Sequence, residues 1–410
     1  MKVLQINVRL QEGGAANVAL DLHKNLLKEG VESQFAYGWG EKGGKSSAEC
    51  HVPSSFQVGQ QFQVIGNLLI HRVLGVDLVP PIGEGRKCLV DAINWADVVH
   101  LHVIHSYFLP FEWLVDELIR TCKPVIWTAH DFWILTGRCA STEGCVNWRM
   151  GCGSCNIQDN YPSSFLDISA HIFKGKRHQI GLLARKLVVV APSTHVADAI
   201  QEGIPSLTVK MIPNWIDSEF ESYLKETPIS DKPIELSIKQ IKVLIVANNL
   251  SDRSKVDRRL INDLLELNHV ELHTIGLKSP FKGKQVLNHG EVLSRGEMVD
   301  LISLTDLALF TSEKDTFGLV MIEALACGVP VLAIESLASN EVLGALGIEP
   351  IKTSKEIHKL VRIAQLPLCY KGFSPKILRQ GVLENYGSSA GSMKYLNLYN
   401  RGNCKTPQLS

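Results

Sequence analysis

Residues 312–331, SEKDTFGLVMIEALACGVPV, decide the fold that this sequence predicts. An apolar run at 307–311 precedes them and another begins at Pro330, so a buried strand, a helix and a second buried strand follow one another. Apolar residues at helical spacing predict that the helix begins near Thr316, and Gly328 with Pro330 ends it. Continuous apolar strands joined through helices are typical of a parallel sheet.

The loop and first turn of this helix form a candidate anion site. Asp315 lies in the loop, and Glu323 lies about two turns along the helix. The first N–H groups of a helix have no partner within it and favour negative charge. A carboxylate beside them can accept two hydrogen bonds from a ribose diol. A strand, loop and helix with an acid is also common for structural reasons alone, and this stretch does not decide between the two interpretations.

The alternation of strands and helices runs through the chain and restarts once. The first series of apolar runs ends at 209–212, and the second begins at 243–247. With 410 residues, this pattern predicts two doubly wound, Rossmann-like α/β domains. The predicted divisions are an N-terminal domain at 1–224, a charged, proline-containing linker at 225–240, a C-terminal domain at 241–373, and a tail at 374–410 that packs back towards the first domain.

Composition excludes several classes of function. Lys plus Arg and Asp plus Glu both count 42, so the chain lacks the basic excess that is typical of nucleic-acid binding. The N-terminus is typical of a strand rather than a signal peptide, and charges and prolines interrupt the most apolar candidate span. Ten cysteines without a secretion signal indicate a reducing compartment. We therefore expect a cytoplasmic protein with no nucleic-acid partner.

Two predicted strand ends carry candidate phosphate-binding loops. Gly13 and Gly14 follow the first strand, where glycine lets the backbone approach a ligand; a plain tight turn is the alternative. Arg253 and Lys255 follow the strand at 243–247 and are placed to clamp a diphosphate, with an ordinary solvated charge run as the alternative. The first loop is not GxGxxG, so a nicotinamide-type dinucleotide is disfavoured.

Histidines follow two further strands. His130 lies in TAHD, and His100, His102 and His105 lie in HLHVIHS. A histidine at the carboxyl end of a parallel strand faces the ligand side of the sheet, where its ring can hydrogen-bond a sugar hydroxyl or a developing charge. A His130 that is merely satisfied by its neighbour Asp131 is the alternative. His100 and His102 share one strand face, so at least one of them is expected to be structural.

Four cysteines are concentrated in a polar segment, 137–160, that is predicted to be an insertion in the first domain. Their spacing is C-x5-C-x6-C-x2-C, and the residues are Cys139, Cys145, Cys152 and Cys155. Four thiolates can enclose a tetrahedral zinc ion, and such a closed site would stabilise the insertion rather than do chemistry. Two disulfides are the alternative, which a reducing compartment disfavours.

The segment 165–186 combines apolar and basic side chains. Its five cations are Lys174, Lys176, Arg177, Arg185 and Lys186. A basic helix with apolar positions can rest on an anionic membrane surface, and an ordinary amphipathic surface helix is the alternative. This segment is the basis for expecting a peripheral contact with the inner face of the inner membrane.

Taken together, these motifs resemble the family 4 retaining glycosyltransferases of the GT-B fold. Residues 312–331 resemble the C-terminal E-x7-E signature of that family. The glycine loop EGGAA, the TAHD histidine and the segment IPNWID at 212–217 resemble other blocks, in the right order. The cysteine insertion, with VRLQEGGAA and HLHVIHS, narrows the resemblance to the glycosyltransferases of bacterial exopolysaccharide clusters, the colanic acid enzymes in particular.

The resemblance implies a donor site in the second domain. Glu323 would hold the donor ribose, Asp315 would contact the transferred sugar, and Lys255 would neutralise the diphosphate. Arg253 is a candidate replacement for an arginine that the family usually has earlier in this loop. The backbone N–H groups that would face the diphosphate belong to Phe317, Gly318, Leu319 and Val320.

The resemblance also implies roles in the first domain. His130 would contact the donor sugar near the reacting carbon, and Gly13 and Gly14 would close over phosphate and acceptor. His102 and His105 are placed on the acceptor side.

The implied reaction is transfer of a hexose, with retention, from a UDP- or GDP-sugar to a lipid-linked oligosaccharide. It would serve exopolysaccharide, capsule or lipopolysaccharide biosynthesis. The sequence contains no D-x-D, so no catalytic metal is expected. Asp315 where the family usually has Glu, Asn248-Asn249 in place of Gly-Arg, and Trp215 where Gly is more common all depart from the family pattern. A nucleotide-sugar epimerase of the same fold and a non-catalytic scaffold in polysaccharide assembly remain alternatives.

Overall fold

The computed structural model describes residues 1–40, 52–142, 144–155 and 161–403. The chain divides into two units, Met1–Pro213 together with the chain from Ser392 onward, and Asn214–Gly391. Each unit is built on one sheet in which every described strand pair is parallel. The predicted pair of doubly wound α/β domains is therefore confirmed.

The first sheet has seven strands in the order β3-β2-β1-β4-β5-β6-β7, and the second has five in the order β10-β9-β8-β11-β12. The first set comprises β1 (Lys2–Asn7), β2 (Glu32–Tyr37), β3 (Ser55–Gln57), β4 (Val98–Leu101), β5 (Val125–Thr128), β6 (Leu187–Ala191) and β7 (Thr208–Met211). The second comprises β8 (Ile241–Asn249), β9 (Val270–Leu277), β10 (Val286–Asn288), β11 (Leu307–Phe310) and β12 (Val331–Ala333).

Helices connect these strands. In the first unit they are α1 (Gly14–Lys28), α2 (Gln61–Leu74), α3 (Gly83–Trp95), α4 (Phe111–Arg120), α5 (Ser169–Leu183) and α6 (Thr194–Gly203), with a short 3-10 helix at Asn147–Arg149. In the second they are α7 (Ser218–Glu226), α8 (Arg258–Leu265), α9 (Arg295–Ser303), α10 (Leu319–Ala326), α11 (Leu337–Gly344), α12 (Ser354–Arg362) and α13 (Pro375–Tyr386), with a 3-10 helix at Leu368–Tyr370. The last helix is α14 (Ser388–Asn403), which belongs to the first unit from Ser392 onward.

The strands of the second unit are apolar throughout because both faces of the sheet are covered. Val243 on β8 and Leu307 on β11 belong to one buried cluster, whereas their neighbours Leu244 and Ala308 belong to another. Successive side chains of a strand point to opposite faces, so these clusters are the two sides of the sheet. This double burial explains why the strands lack the alternation of a half-exposed sheet.

The structure corrects two predicted boundaries. The first unit ends at Pro213 rather than at 224, because α7 buries Phe220 and Leu224 in a core of the second unit. The tail from 374 does not pack back as a whole. Its helix α13 stays with the second unit, where Arg379 donates to the carbonyls of Leu224 and Ala326. Only α14 from Ser392 onward belongs to the first unit.

Candidate active site

Helix α10 begins later than predicted. It starts at Leu319, not near Thr316, because Gly318 ahead of it has a left-handed backbone with φ 86°. This conformation requires glycine, and a Cβ atom here would also displace the tip of Met321, from whose Cε it would lie 2.6 Å. No side chain caps the first turn, and the first N–H groups of a helix have no partner within it. The predicted anion-binding residues 317–320 lie at this turn.

Glu323 is held in a buried cluster of charges. Its side chain is largely buried, and its Oε1 accepts a hydrogen bond from Nη2 of Arg295 at 2.6 Å. The same nitrogen lies 2.5 Å from Oδ2 of Asp217, the residue that caps α7. Burial alone lowers the pKa of Arg295, but the two carboxylates, Glu323 first, raise it well above its usual value. A permanently charged guanidinium therefore orients the carboxylate of Glu323.

Lys255 and Asp315 are brought together as an ion pair between Nζ and Oδ1. Lys255 lies in the loop after β8 and Asp315 in the loop after β11, and these strands are neighbours in the sheet. The hydroxyl of Thr311 fixes the first loop, since it donates to the Lys255 carbonyl at 2.9 Å and accepts from the Asp257 N–H at 3.0 Å. Both charged side chains remain partly exposed, so a ligand can reach them.

Arg253 is not brought to this ion pair. Its side chain is exposed and lines a separate polar cavity of about 440 Å³, together with the cations Arg258, Arg259 and Lys314. Neither member of the ion pair lines that cavity. The role of Arg253 as a replacement for the family arginine stays a prediction.

In the first unit, Gly13 precedes α1 and caps it with backbone alone. Its φ of 100° and ψ of 160° lie in a region that is essentially restricted to glycine. A Cβ atom at Gly13 would meet nothing within 4 Å, so conformation rather than crowding selects glycine here. Gly14 is the first residue of α1, and no side chain caps that helix. The backbone thus presents an uncapped helix start, as the phosphate-loop hypothesis requires.

His130 follows β5 and stacks on His102, which follows β4, with ring centroids 5.3 Å apart. Nε2 of His130 and Nδ1 of His102 are 3.0 Å apart. Burial lowers the pKa of His130 to about 4 and that of His102 well below its usual value. Both rings are therefore neutral at pH 7, and His130 is suited to hydrogen bonding rather than to general-base catalysis.

Gln5 on β1 determines which nitrogen of His130 carries the proton. We orient its amide by its hydrogen bonds: the nitrogen donates to Nε2 of His102 at 3.0 Å and to the Ala19 carbonyl at 3.2 Å, and the oxygen accepts from the His23 N–H at 3.1 Å. His102 therefore carries its proton on Nδ1, and this N–H group donates a hydrogen bond to Nε2 of His130. The proton of His130 is therefore on Nδ1, and the Gln5–His102–His130 row makes that atom a donor.

Asp131 is engaged by His105 rather than serving chiefly as the partner of His130. Nε2 of His105 lies 2.8 Å from Oδ2 of Asp131, whose Oδ1 accepts from the Trp133 N–H at 2.9 Å. Burial raises the pKa of Asp131, but His105 and the Trp133 N–H together hold it below its usual value. His105 also lines a cavity of about 790 Å³ in the first unit. Its role on the acceptor side stays a prediction.

His102 does not fit its predicted role on the acceptor side. Its side chain is only 2% exposed and both of its ring nitrogens are engaged within the row, so it positions His130 instead. His100 is fully buried, as expected for a structural residue. Its Nδ1 lies 2.7 Å from the Tyr399 hydroxyl, and its Nε2 lies 2.8 Å from Oγ1 of Thr128, which in turn lies 2.8 Å from the Tyr395 hydroxyl.

The four clustered cysteines line one small cavity in the first unit. All four are free thiols, so the two disulfides considered as the alternative are absent among them. The four residues are Cys139, Cys145, Cys152 and Cys155. Across the ranges that the structure describes, no group of three or more His, Cys, Asp or Glu side chains is arranged to hold a metal ion. The structure therefore does not confirm the zinc site, which stays a prediction.

Helix α5 has fewer available cations than its sequence indicates. Nζ of Lys176 is buried and donates to the Trp133 and Thr136 carbonyls at 2.7 and 3.0 Å. Arg177 and Lys186 likewise donate to backbone carbonyls. Three of the five cations of segment 165–186 thus satisfy backbone carbonyls, so fewer are available for a membrane surface than the sequence indicates, and the membrane-binding interpretation of this segment stays a prediction. No described helix is long and apolar enough to cross a membrane.

Arg295 and Gln5 were both missed by the sequence analysis. Arg295 lies 28 residues before Glu323, next to Ser294, which caps α9 with its side chain. Gln5 is a polar residue between apolar neighbours in the middle of a predicted buried strand, and a buried amide needs partners. That pattern was an available signal for Gln5, whereas nothing near Arg295 distinguished it from a surface cation.

Two parallel-sheet units, with the acid-bearing loop and helix of residues 312–331 in the second and strand-end histidines in the first, define the class of a GT-B glycosyltransferase. Residues 12–220 match the model "Glycosyltransferase Family 4", and residues 280–362 match "Glycosyl transferases group 1". The chain belongs to glycosyltransferase family 4.

Individual relatives agree with this assignment. The chain is 33% identical over 408 residues to the putative colanic acid biosynthesis glycosyl transferase WcaC of Escherichia coli K12, covering 97% of this chain and 99% of that protein. Among solved structures, it resembles sucrose-phosphate synthase from Thermosynechococcus elongatus with a TM-score of 0.64 and 13% identity, over 99% of this chain and 100% of that one. It also resembles the pneumococcal O-GlcNAc transferase GtfA in complex with UDP and GlcNAc, with a TM-score of 0.60 and 11% identity over 98% and 99% of the two chains. The structural likenesses establish the fold.

Proposed function

We propose that this glycosyltransferase moves a hexose, with retention, from a nucleotide-diphosphate sugar to a lipid-linked oligosaccharide of exopolysaccharide biosynthesis. The observation that carries the proposal is the pairing of Lys255 with Asp315 beside the uncapped start of α10, with Glu323 fixed on the same helix. The name of the E. coli relative supports the exopolysaccharide assignment. The complex of GtfA with UDP supports UDP as the first donor base to test.

In the proposed step, the bond from the anomeric carbon to the diphosphate oxygen breaks while the acceptor oxygen bonds to the same face of that carbon. The acceptor hydroxyl proton leaves with the diphosphate, so no protein nucleophile is needed. Negative charge develops on the diphosphate, where Lys255 and the first N–H groups of α10 stabilise it. Glu323 accepts hydrogen bonds from the ribose hydroxyls. Neutral His130 donates a hydrogen bond from its Nδ1–H group to the donor sugar and keeps its proton.

Two of the three departures from the family pattern are compatible with the proposed donor site. Asp315 is shorter than the usual glutamate, but its pairing with Lys255 keeps the acid and the cation in one place. Asn248 and Asn249 are the last residues of β8, so the loop that carries Lys255 still begins at the strand end. Trp215 is buried, and its indole packs against Gly391, where an added Cβ atom would collide with the ring.

The test is a transfer assay with purified enzyme, UDP-, GDP- and TDP-sugars, and a defined lipid-linked acceptor. Thermal shifts with the same panel identify the donor, because a tight ligand raises the melting temperature by mass action. We expect Lys255→Ala and Glu323→Gln to lower kcat by a factor of about 10²–10³ while both variants stay folded.

Lys314→Ala, which removes an exposed cation of the neighbouring loop, is the matched control and should retain full activity. Wild-type rates in both site variants would contradict the assigned roles. Conversion of the donor to its epimer without an acceptor would favour the epimerase instead. If no nucleotide sugar raises the melting temperature and no transfer is detected, the result would support the interpretation as a non-catalytic scaffold.

We further propose that the four cysteines hold a structural zinc ion. The support is that their thiols line one cavity and that two of them already accept hydrogen bonds of the kind that stabilise thiolates. The Gly137 N–H donates to Sγ of Cys152 at 3.2 Å, and Nη2 of Arg138 donates to Sγ of Cys155 at 3.6 Å. Without a metal, burial raises the pKa of Cys139 to about 11, so zinc would have to draw the thiols together and displace their protons.

Elemental analysis of protein purified without chelator tests the zinc proposal. We expect about one zinc per chain, and loss of that zinc with a lower melting temperature in Cys152→Ser. Cys88→Ser, outside the cluster, is the control. Less than about half an equivalent of zinc in the wild-type protein would overturn the proposal.

A further inference from the structure

Helix α2 has its apolar side facing outwards. Its exposed side chains include Phe62 and Leu69, which are 74% and 64% exposed, and the remaining apolar members of that face are Ile65, Leu68 and Val73. Residues 62, 65, 69 and 73 recur at intervals of three and four, so they form one stripe along the helix. A surface helix normally buries such a stripe.

The buried face of α2 is largely polar instead, and each of its polar side chains makes hydrogen bonds, although Oε1 of Gln63 and Nε2 of His71 have no partner among the described residues. Asn67 donates to the carbonyls of Val79 and Tyr107, and its Oδ1 accepts from the N–H groups of Leu78 and Val79. Gln63 and His71 are buried on the same face. Gln63 donates to two backbone carbonyls, and His71 pairs with a carboxylate at 2.9 Å. These contacts fix the orientation of the helix, so rotation to bury the apolar stripe would leave this polar face unpaired.

The apolar face extends beyond the helix. Phe165 and Leu166 are exposed, and their N–H groups donate to the carbonyls of Arg72 and Val73 in the last turn of α2 at 2.8 and 3.0 Å. Leu78, in the loop that Asn67 holds, is also exposed. A patch of this kind, the α2 surface, is larger than isolated surface apolar residues explain and indicates a partner.

Charge selects the kind of partner. The sequence contains no Asp or Glu between Glu49 and Asp77, and Arg72 stands at the end of the stripe with its guanidinium 5.9 Å from the ring centroid of Phe165. Asp167, which follows the exposed Phe165 and Leu166, is also exposed, but its carboxylate already accepts from the N–H groups of Cys155 and Ser169. Among the described residues, Arg72 has no carboxylate within ion-pair distance. A cation beside apolar side chains matches the headgroup and acyl boundary of an anionic bilayer.

The shape of the α2 surface also favours lipid over protein. The exposed residues of α2 include only two polar side chains, Gln61 at its start and Arg72 near its end, whereas a protein interface of useful size has about one hydrogen bond per 100–200 Å². The 14 residues of α2 span about 21 Å, which is shorter than the hydrocarbon core of a bilayer. The helix therefore lies along a membrane rather than across it.

We infer that the α2 surface docks this enzyme on an anionic phospholipid bilayer, with Phe62 and Leu69 inserted among the acyl chains and Arg72 at the phosphate level. This inference deepens the proposed use of a lipid-linked acceptor, because docking would bring the first unit to the layer where such an acceptor lies. It also replaces helix α5 with helix α2 as the membrane contact.

Co-sedimentation with vesicles of about 30% phosphatidylglycerol in phosphatidylethanolamine tests the inference, with neutral phosphatidylcholine vesicles for comparison. No donor or acceptor is present, so the result does not depend on the proposed reaction. The wild-type chain should bind the anionic vesicles. Phe62→Ser with Leu69→Ser should lower the partition coefficient at least tenfold, and Arg72→Gln should weaken its dependence on salt.

The matched control is Leu337→Ser, which removes an equally exposed leucine from α11 in the second unit and should bind vesicles like the wild type. Transfer to a short-chain, water-soluble acceptor should be equal in wild type and double variant. A failure there in both proteins would count against the proposed function alone. A wild-type chain that stays in the supernatant, or a double variant that binds as well as wild type, would overturn the inference. A dimer that the double variant abolishes, without vesicle binding, would overturn it in favour of self-association.

Discussion

In the first unit His130 and His102 are buried as neutral rings, whereas in the second unit Glu323 is buried as an ion beside Arg295. A chain of hydrogen bonds that begins at the Gln5 amide joins the two histidines and determines the tautomer of each. The carboxylate is held by a cation that also serves Asp217. One arrangement fixes where a hydrogen-bond donor points, and the other fixes where a negative charge sits. The difference teaches that the donor-binding acid depends on a charge partner, while the sugar-facing histidine depends on a tautomer.

The largest expected effect is loss of the charge partner. Arg295→Met should lower the free energy of unfolding by about 3–5 kcal/mol, because Asp217 and Glu323 would remain buried without a cation. Chemical denaturation measures this change. The matched control is Arg149→Met, since Arg149 pairs with Glu202 at the surface and its loss should leave the melting temperature unchanged.

A triple variant separates charge burial from packing. Asp217→Asn and Glu323→Gln added to Arg295→Met should recover part of the lost stability, because neutral amides need no counter-ion. If the triple variant is no more stable than Arg295→Met alone, the carboxylates are not what makes that variant unstable.

Acid should destabilise the arrangement of neutral buried histidines in the first unit. Burial lowers the pKa of His130 and His23 to about 4, whereas an unfolded histidine titrates near 6.5. The unfolded chain therefore binds more protons between these values. Stability is complete above about pH 6.5 and is lost as the pH falls towards 4, by about 2 kcal/mol per histidine between pH 7 and pH 4.5.

Equilibrium unfolding across that range measures the slope, and His130→Asn should remove about one histidine's share of it. A wild-type slope in His130→Asn would show that His130 does not titrate as a buried neutral ring.

The tautomer can be tested at His102. His102→Phe removes the donor to Nε2 of His130 and should lower kcat about tenfold with an unchanged KM for the donor. His102→Asn, whose amide nitrogen can replace Nδ1, should restore most of the rate. Equal losses in both variants would indicate that packing at this position, rather than the hydrogen bond, supports His130.

The smallest effect concerns the start of α1. Gly13→Ala should destabilise the chain by about 1–2 kcal/mol through backbone strain alone, since the new methyl group meets nothing within 4 Å. Gly14→Ala, one residue along at the first position of the helix, should be neutral or stabilising. Thermal unfolding of the pair measures the contrast, and a Gly13→Ala variant as stable as Gly14→Ala would contradict the assigned conformation.

The sequence was sufficient for features that depend on neighbouring residues. The apolar runs on either side of residues 312–331 predicted β11 and β12, and strand-end positions predicted the loops that carry Lys255 and Asp315. The ion pair between these two residues was not predicted. It placed the start of α10 near Thr316 because helical spacing continues backwards from Leu319 and gives no sign of the left-handed Gly318.

Features that depend on distant partners could not be predicted in this way. In the sequence, His102 cannot be distinguished from His105. In the structure, the Nε2 atom of His102 is hydrogen-bonded to Gln5, which lies 97 residues earlier on the adjacent strand. Lys176 looks like a surface cation until carbonyls 40 and 43 residues earlier surround it. In each case the spacing of residues predicts the element, while the partner across the fold determines the role of the side chain.

The sheet of the first unit is assembled from residues before 214. Two of its buried polar side chains, His100 and Thr128, nevertheless find their partners on α14, which follows the second unit in the sequence. Tyr395 and Tyr399 on α14 supply the hydroxyls that meet Thr128 and His100. A ribosome makes these tyrosines only after it has made all of residues 214–391. During synthesis the first unit therefore waits, with its strands complete and two buried polar partners absent, while the second unit already has every residue that it needs. Because α14 follows the second unit in the sequence, a chain stalled before Ser392 would carry a finished donor half and an unfinished sugar-facing half.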